Sequence, residues 1–337
     1  MPDPVLYRLA EEVGVALKRS KLMLVTAESC TGGWVAEAVT MVPGSSEWFE
    51  RGFVTYTYIS KREMLGVREA TLEKHGAVAE EIVLEMVQGA LDRSHAQVAV
   101  AVSGVAGPAG GTPDKPVGTV CFAWGLLDGA PRAETRRYPG DREAVRRQSV
   151  EHALNGVLEL LARRQSYLSR VQSILDELRI PPQFCAGRAL PIQDEATELE
   201  LVEVGENGRE YLLIPPAAAA WRELRSAAAA DGITVNIVSA FRSLDRQAEI
   251  VREKLASGLS FEAIFSASAP PGYSEHHTGR AVDVGTPGGR VLEVEFEDTP
   301  AFQWLAANAG KFGFVLSFPR DSACGYVYEP WHWCYQG

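Results

Sequence analysis

Ser274-Glu275-His276-His277-Thr278-Gly279-Arg280-Ala281-Val282-Asp283 sets an imidazole seven positions ahead of a carboxylate, with a glycine between them and a short apolar run entering the acid. Further along, Glu329-Pro330-Trp331-His332-Trp333 supplies another imidazole and another carboxylate. Two imidazoles, one coordinating carboxylate and one spare carboxylate are the donor set of a hydrolytic zinc site. On a strand, Ala281 and Asp283 face one side and Val282 the other. Glu329 and His332 have opposite parity, so both face a metal only if their strand bends, and Pro330, which donates no ladder bond, is the place for it. Trp331 and Trp333 then point away from His332 and wall the site or its back. From an extended backbone only one of His276 and His277 turns toward a single ion.

Around this stretch the chain reads as α+β built on an antiparallel sheet. Glu198–Val204 and Glu210–Ile214 flank Gly205-Glu206-Asn207-Gly208, a hairpin signal. A helical pattern over Pro216–Ala230 follows, then a strand over Thr234–Ala240. The helix Leu244–Ala256 begins just after Phe241-Arg242-Ser243 and carries Gln247 in its first turn. A helix over Pro300–Ala309 precedes the C-terminal strand.

The zinc stretch organises only residues after about 190. A chain of 337 residues is long for one domain, so two are expected. With 46% hydrophobic and 23% charged residues, the composition is that of a globular protein. A net charge of −11 argues against a nucleic-acid backbone as partner. No stretch reads as a signal peptide or a membrane span. Five cysteines without a CxxC pair fit reduced thiols and a cytoplasmic location.

The first half alternates helix and strand. Val5–Lys18 has apolar residues at helical spacing, and Leu22–Thr26 is a short strand. It runs into Ala27-Glu28-Ser29-Cys30-Thr31-Gly32-Gly33 and a helix from Trp34. A strand over Gly52–Tyr56 leads to Ser60-Lys61 and a short helix ending before Gly66. Helix Glu80–Ser94, strand Val98–Val102, the glycine-rich loop Ser103–Gly111, strand Gly118–Trp124 and helix Asp141–Arg163 complete an α/β layered unit. Three loops follow strand carboxyl ends, where open α/β sheets place ligands. Ser29 and Thr31 lie at a helix start, whose free N–H groups hold an anion or a developing oxyanion, unless Ser29 is only the N-cap.

The strings TAESCTGGW, PGSSEWFERGFVTY, HGAVAEE, SGVAGPAGG, KPVGTV and GDREAVRRQ, in that order, resemble the C-terminal domain of competence-damage protein CinA, the nicotinamide mononucleotide deamidase (PncC-type) family. The resemblance covers residues 1–163. It implies a serine–lysine dyad with Ser29 as nucleophile and Lys61 as base, and hydrolysis of a nucleotide carboxamide to acid and ammonia without a cofactor. The chemistry is coherent, since a serine hydroxyl needs a neighbour to take its proton and a buried lysine can be neutral enough to do so. Tyr56 is placed near both to orient a proton. Thr31, Gly32 and Gly107 are expected to line the substrate, and Arg142, with Arg146 and Arg147 nearby, to meet the phosphate. The run departs from the family at Tyr58, where an asparagine is usual. Homo-oligomerisation through this domain is also expected.

The second half, over roughly 190–334, resembles VanY-type D-alanyl-D-alanine carboxypeptidases through SAFRS…Q, S-x-H-x-x-G-x-A-x-D and E-P-W-H-W. The resemblance implies Zn2+ on His276, Asp283 and His332, with His277 a bystander. It also implies Glu329 as general base and acid, Arg242 on the scissile carbonyl or the substrate carboxylate, and Ser274 and Gln247 as pocket lining. The expected layout is an amidohydrolase domain over 1–165, a helical linker over 166–189 and a carboxypeptidase domain over 190–337, acting on a nucleotide and on D-Ala-terminated peptides. Two other readings fit the same residues. In one, the N-terminal domain binds nucleotide or oligomerises without catalysis. In the other, the peptidase has L,D or endopeptidase specificity.

Overall fold

The apolar repeat near the N-terminus forms helix α1 (Pro4–Ser20), whose first turn is capped by the Asp3 carboxylate accepting from the Val5 and Leu6 N–H groups. The computed structural model describes residues 3–127, 129–186, 191–205, 208–320 and 326–337, and the chain divides into units Met1–Ser166 and Tyr167–Gly337. In the first unit follow β1 (Leu24–Glu28), α2 (Trp34–Thr40), β2 (Phe49–Val54), α3 (Tyr58–Leu65), α4 (Glu69–His75), α5 (Glu80–Asp92), β3 (Val98–Gly104), β4 (Thr119–Leu126), β5 (Arg132–Arg137) and the greater part of α6 (Arg142–Glu177), whose last turns belong to the second.

The strands order as β2-β1-β3-β4-β5, the first three parallel and the last two pairings antiparallel. Strand periodicity sorts side chains onto two faces. Val98, Val100, Val102, Phe122 and Trp124 join α1, α2 and α6 in one cluster, while Ala99, Ala101, Cys121 and Ala123 meet Ile82, Val83, Met86 and Val87 of α5 in the other. A sheet covered on both sides gives strands β1, β3 and β4 that are buried almost throughout. Gly156 is where α6 meets Trp124: a Cβ there would stand 2.1 Å from the indole. Strand β5 and helix α4 were not expected from the sequence, while α6 runs past Arg163 to Glu177, through the stretch expected to continue as a helical linker.

The second unit continues with α7 (Gln183–Ala186), β6 (Glu200–Val204), β7 (Glu210–Leu213), α8 (Pro215–Ala230), β8 (Asn236–Ser239), α9 (Leu244–Ala256), α10 (Phe261–Ser266), β9 (Ala281–Gly285), α11 (Pro300–Asn308), β10 (Phe314–Leu316) and β11 (His332–Tyr335). Strands β10-β11-β9-β8 form an antiparallel sheet, and β6-β7 a separate ribbon. Val282, Val284, Phe314 and Trp333 pack with α8 and α11, so the indole of Trp333 sits in the core behind the sheet. Within the segment read as a linker, Val171, Leu175 and Leu178 pack with Leu244, Val251, Ile264 and Phe265. That stretch therefore belongs to the second unit's own core. Gly187, Arg188 and Ala189 of the linker, Glu206 and Asn207 of the hairpin turn, and Cys324 lie outside the described residues. The other four cysteines are free thiols. No helix among the described residues is long and apolar enough to cross a membrane.

Candidate active sites

The parallel register aligns Glu28 with Val54 on one side and Val102 on the other, so the loops after β1, β2 and β3 leave the sheet at one level. Ser29 follows β1, its N–H bonded to the Val102 carbonyl. The loop after β2 delivers Thr55 and then α3, whose capping box between Thr57 and Ser60 fixes the start of the turn that carries Lys61. Lys61 Nζ donates to Ser29 Oγ at 2.9 Å and to the Thr55 carbonyl at 2.6 Å. The lysine is fully buried, and burial pushes its ammonium down from 10.5 to about 8. A largely desolvated amine beside a serine hydroxyl is the arrangement a Ser–Lys dyad requires.

The turn from Ser29 to α2 differs from the expectation of a helix start with free N–H groups. The buried Glu28 carboxylate accepts from the N–H groups of Gly33, Val35 and Ala36, so the start of α2 is already occupied by an acid. The N-cap is Gly33, not Ser29, which leaves the Ser29 hydroxyl to Lys61. Thr31 is fully buried, and its hydroxyl has no hydrogen-bond partner among the described residues. Arg146 braces the same turn, donating to the Cys30 and Thr31 carbonyls while stacking over Trp34.

Tyr56 was placed beside the dyad; its hydroxyl instead accepts from Arg142 Nη2 at 2.9 Å, and its ring is mostly exposed. Gly107 offers its carbonyl rather than its N–H, accepting from Arg142 Nη1 at 2.9 Å. Arg147 is paired with Asp3 and Glu151 and is taken up in that network. Arg142, Arg146, Gly32, Gly33, Trp34 and Glu37 line an open groove of about 820 Å³. Tyr58 turns its hydroxyl to the Ala77 N–H.

In the second unit, antiparallel pairing sets His332 of β11 directly opposite Asp283 of β9. His276 reaches the same point from a one-turn 3-10 helix, Glu275–Thr278, which ends at Gly279 in the left-handed conformation. His276 Nε2 lies 3.1 Å from Asp283 Oδ2, and His332 Nδ1 lies 2.9 Å from Asp283 Oδ1. The three residues are buried, and one donor atom from each falls within 4.8 Å of the others. Burial alone would raise the Asp283 carboxyl, but His276 and His332 beside it hold it far below the usual carboxylate range. Two imidazole nitrogens and one ionised carboxylate, dry and converging, fit a tetrahedral divalent ion with one open position.

His277 does not sit on an extended backbone, yet it still turns away. Its Nδ1 lies 2.6 Å from the Arg242 carbonyl, and its Nε2 accepts from the Gly272 N–H. Glu329 precedes β11 rather than lying in it, so strand parity does not apply: the His332 N–H closes a turn onto the Glu329 carbonyl. Its carboxylate stands 3.9 Å from His332 Nδ1, and burial pushes it up to about 7. Arg242, opposite, donates to Gln247 Oε1 and Ser239 Oγ and lies 3.8 Å from Asp283. Gln247 is anchored in turn to the Ala269 carbonyl, and Ser274 is buried at the start of the 3-10 turn. Two polar residues of this site escaped the sequence reading. Lys254 lies two turns along α9 from Gln247 with its ammonium on Ser268, and Glu275 faces His332. A lone lysine or glutamate carries no local signal; only the fold brings these two in.

The family model of the CinA C-terminal domain matches residues 6–161, and the VanY model, D-alanyl-D-alanine carboxypeptidase, matches residues 210–337. The chain is 53% identical over 154 residues to the nicotinamide-nucleotide amidohydrolase PncC of Escherichia coli K12, covering 46% of this chain and 93% of that protein. Its identity to PncC of Pseudomonas putida is 55% over 159 residues, covering 47% and 98%. The solved structure of the LdcB LD-carboxypeptidase shares 32% identity, covering 44% of this chain and 72% of that one at a TM-score of 0.39. The D,D-pentapeptidase VanY of a VanB-type vancomycin-resistance cassette, solved with Zn(II), shares 31%, covering 44% and 83% at a TM-score of 0.35. The chain belongs to the CinA C-terminal-domain family through residues 6–161 and carries a VanY-type carboxypeptidase domain in residues 210–337, and it is a hydrolase on both counts.

Proposed function

We propose that the chain is a bifunctional hydrolase: a nicotinamide-nucleotide amidase joined to a zinc-dependent D-alanyl-D-alanine carboxypeptidase for peptidoglycan-type peptides. The observation that carries the first activity is the buried Lys61 ammonium 2.9 Å from Ser29 Oγ. Neutral Lys61 takes the hydroxyl proton as Oγ attacks the carboxamide carbon. The C–N bond then breaks, and ammonia leaves with the proton that Lys61 returns. Water hydrolyses the resulting ester by the same proton traffic, giving the acid and free Ser29. No cofactor is needed for this sequence of steps. The groove of Gly32, Arg142 and Arg146 is the proposed seat of the nucleotide, with Arg142 nearest the phosphate.

The second activity rests on the convergence of His276, Asp283 and His332. A zinc ion held by these three supplies Lewis-acid polarisation and a water of lowered pKa. Glu329, near neutrality, accepts the proton of the attacking water and hands it to the leaving amine. Arg242, held in place by Gln247 and Ser239, binds the substrate's terminal carboxylate or its scissile carbonyl.

Two assays on purified full-length chain test the reading: ammonia release from nicotinamide mononucleotide, and D-alanine release from a muramyl pentapeptide with metal analysis alongside. Ser29→Ala is expected to abolish the first and leave the second. Absence of ammonia release from the folded wild type would leave the N-terminal unit a nucleotide-binding module. Release of another residue from the peptide would redirect the specificity.

A further inference from the structure

The two histidines at the proposed metal site present different ring nitrogens, and each outward nitrogen has its own acceptor. His276 points Nε2 at Asp283, and its Nδ1 lies 2.8 Å from the Ala240 carbonyl. His332 points Nδ1 at Asp283, and its Nε2 lies 2.9 Å from Glu275 Oε2. A carbonyl oxygen and a carboxylate accept and do not donate. Each therefore holds a proton on the outward nitrogen, which leaves the inward one as the nitrogen that would give up its own proton to a metal ion. The rings are perpendicular, 5.0 Å between centroids.

Glu275 is not one of the three converging donors. It begins the 3-10 turn whose next residue is His276, so one turn supplies both a proposed metal donor and the acceptor for His332. Its side chain is 24% exposed, so water competes weakly for the contact. A carboxylate acceptor also makes the imidazole a better donor than a carbonyl does. We propose that Glu275 is a positioning residue of the carboxypeptidase site. It locks His332 in the tautomer that offers Nδ1 to the metal, while the Ala240 carbonyl does the complementary service for Nε2 of His276. This rests on the reading of His276, Asp283 and His332 as the metal donors.

Zinc binding to the metal-free full-length chain, by competition with a chromophoric chelator, tests it without recourse to activity. Wild type and Glu275→Ala are expected to bind one zinc each, with the variant weaker by about 10–100-fold. Glu275→Gln, whose amide oxygen still accepts from Nε2–H, is expected to recover part of that loss. It also serves if the alanine variant does not fold. The visible absorption of the cobalt-substituted forms should shift in Glu275→Ala and return toward wild type in Glu275→Gln, a change that general loosening of the fold would not produce. Affinities of both variants within about twofold of wild type would overturn the role of Glu275, as would loss of the stoichiometric site in a folded Glu275→Gln, which would make it a ligand. Failure of the wild type to bind one zinc would instead overturn the donor assignment beneath it.

Discussion

At the residue scale the deciding fact in the N-terminal unit is a lysine with no exposure. A lysine whose proton is bound until pH 10.5 when unfolded but only until about 8 when folded is a stability statement. Between those values the unfolded chain holds more protons, so stability rises with pH across that window. At about 1.4 kcal/mol per unit, the gain approaches about 3 kcal/mol. Denaturant titrations at pH 7.5 and 10 should show this gain in wild type and not in Lys61→Met. Ammonia release should climb with pH and level off above about 8, and Lys61→Met should lower it by about 10²–10⁴-fold. The histidine pair in the second unit gives a sharper contrast. His276→Ala should lose stoichiometric zinc. His277→Ala should keep it while losing about 1–3 kcal/mol in denaturant titration, because the buried Gly272 N–H is left without an acceptor. The opposite pattern of zinc retention would reverse the ligand assignment. Nothing in two adjacent histidines separates them by chemistry; the carbonyl and N–H partners of His277 do.

At the element scale, helix α2 shows how a local expectation gives way. A serine and a threonine ahead of a helix read as a cap with N–H groups free for an oxyanion. The neighbouring Glu28 fills that place instead, at the end of a fully buried strand. Glu28→Ala should cost about 1–3 kcal/mol by leaving buried N–H groups unpaired, measured by thermal unfolding. Ammonia release should fall with it, since Ser29 sits next along the chain. Strand β5 is the other lesson. Arg132, Glu134, Arg136 and Arg137 give it no apolar alternation, and it exists because β4 offers an unpaired edge for its backbone. The buried strands and the longer helices were legible because packing repeats every two residues or every 3.6, whereas an exposed edge strand leaves no such record.

At the scale of the whole chain, two units with separate cores and separate chemistries predict separable activities. A chelator should abolish peptide hydrolysis and leave ammonia release unchanged, and Ser29→Ala should do the converse. Loss of both activities on metal removal would show that the two sites are coupled. The sequence by itself determined the donor types, their order and the two-unit layout, because apolar periodicity and short motifs are local properties. Only the tertiary structure decided that Asp283 stands across from His332, that Lys61 is buried against Ser29, that Tyr56 and Gly107 serve Arg142, and that Glu275 meets His332. Those are contacts between residues far apart in the chain or presented by turns. Their positions are set by sheet register and core packing, which no single stretch of sequence encodes. The zinc stretch from Ser274 to Asp283 is thus half a site until β11 pairs with β9.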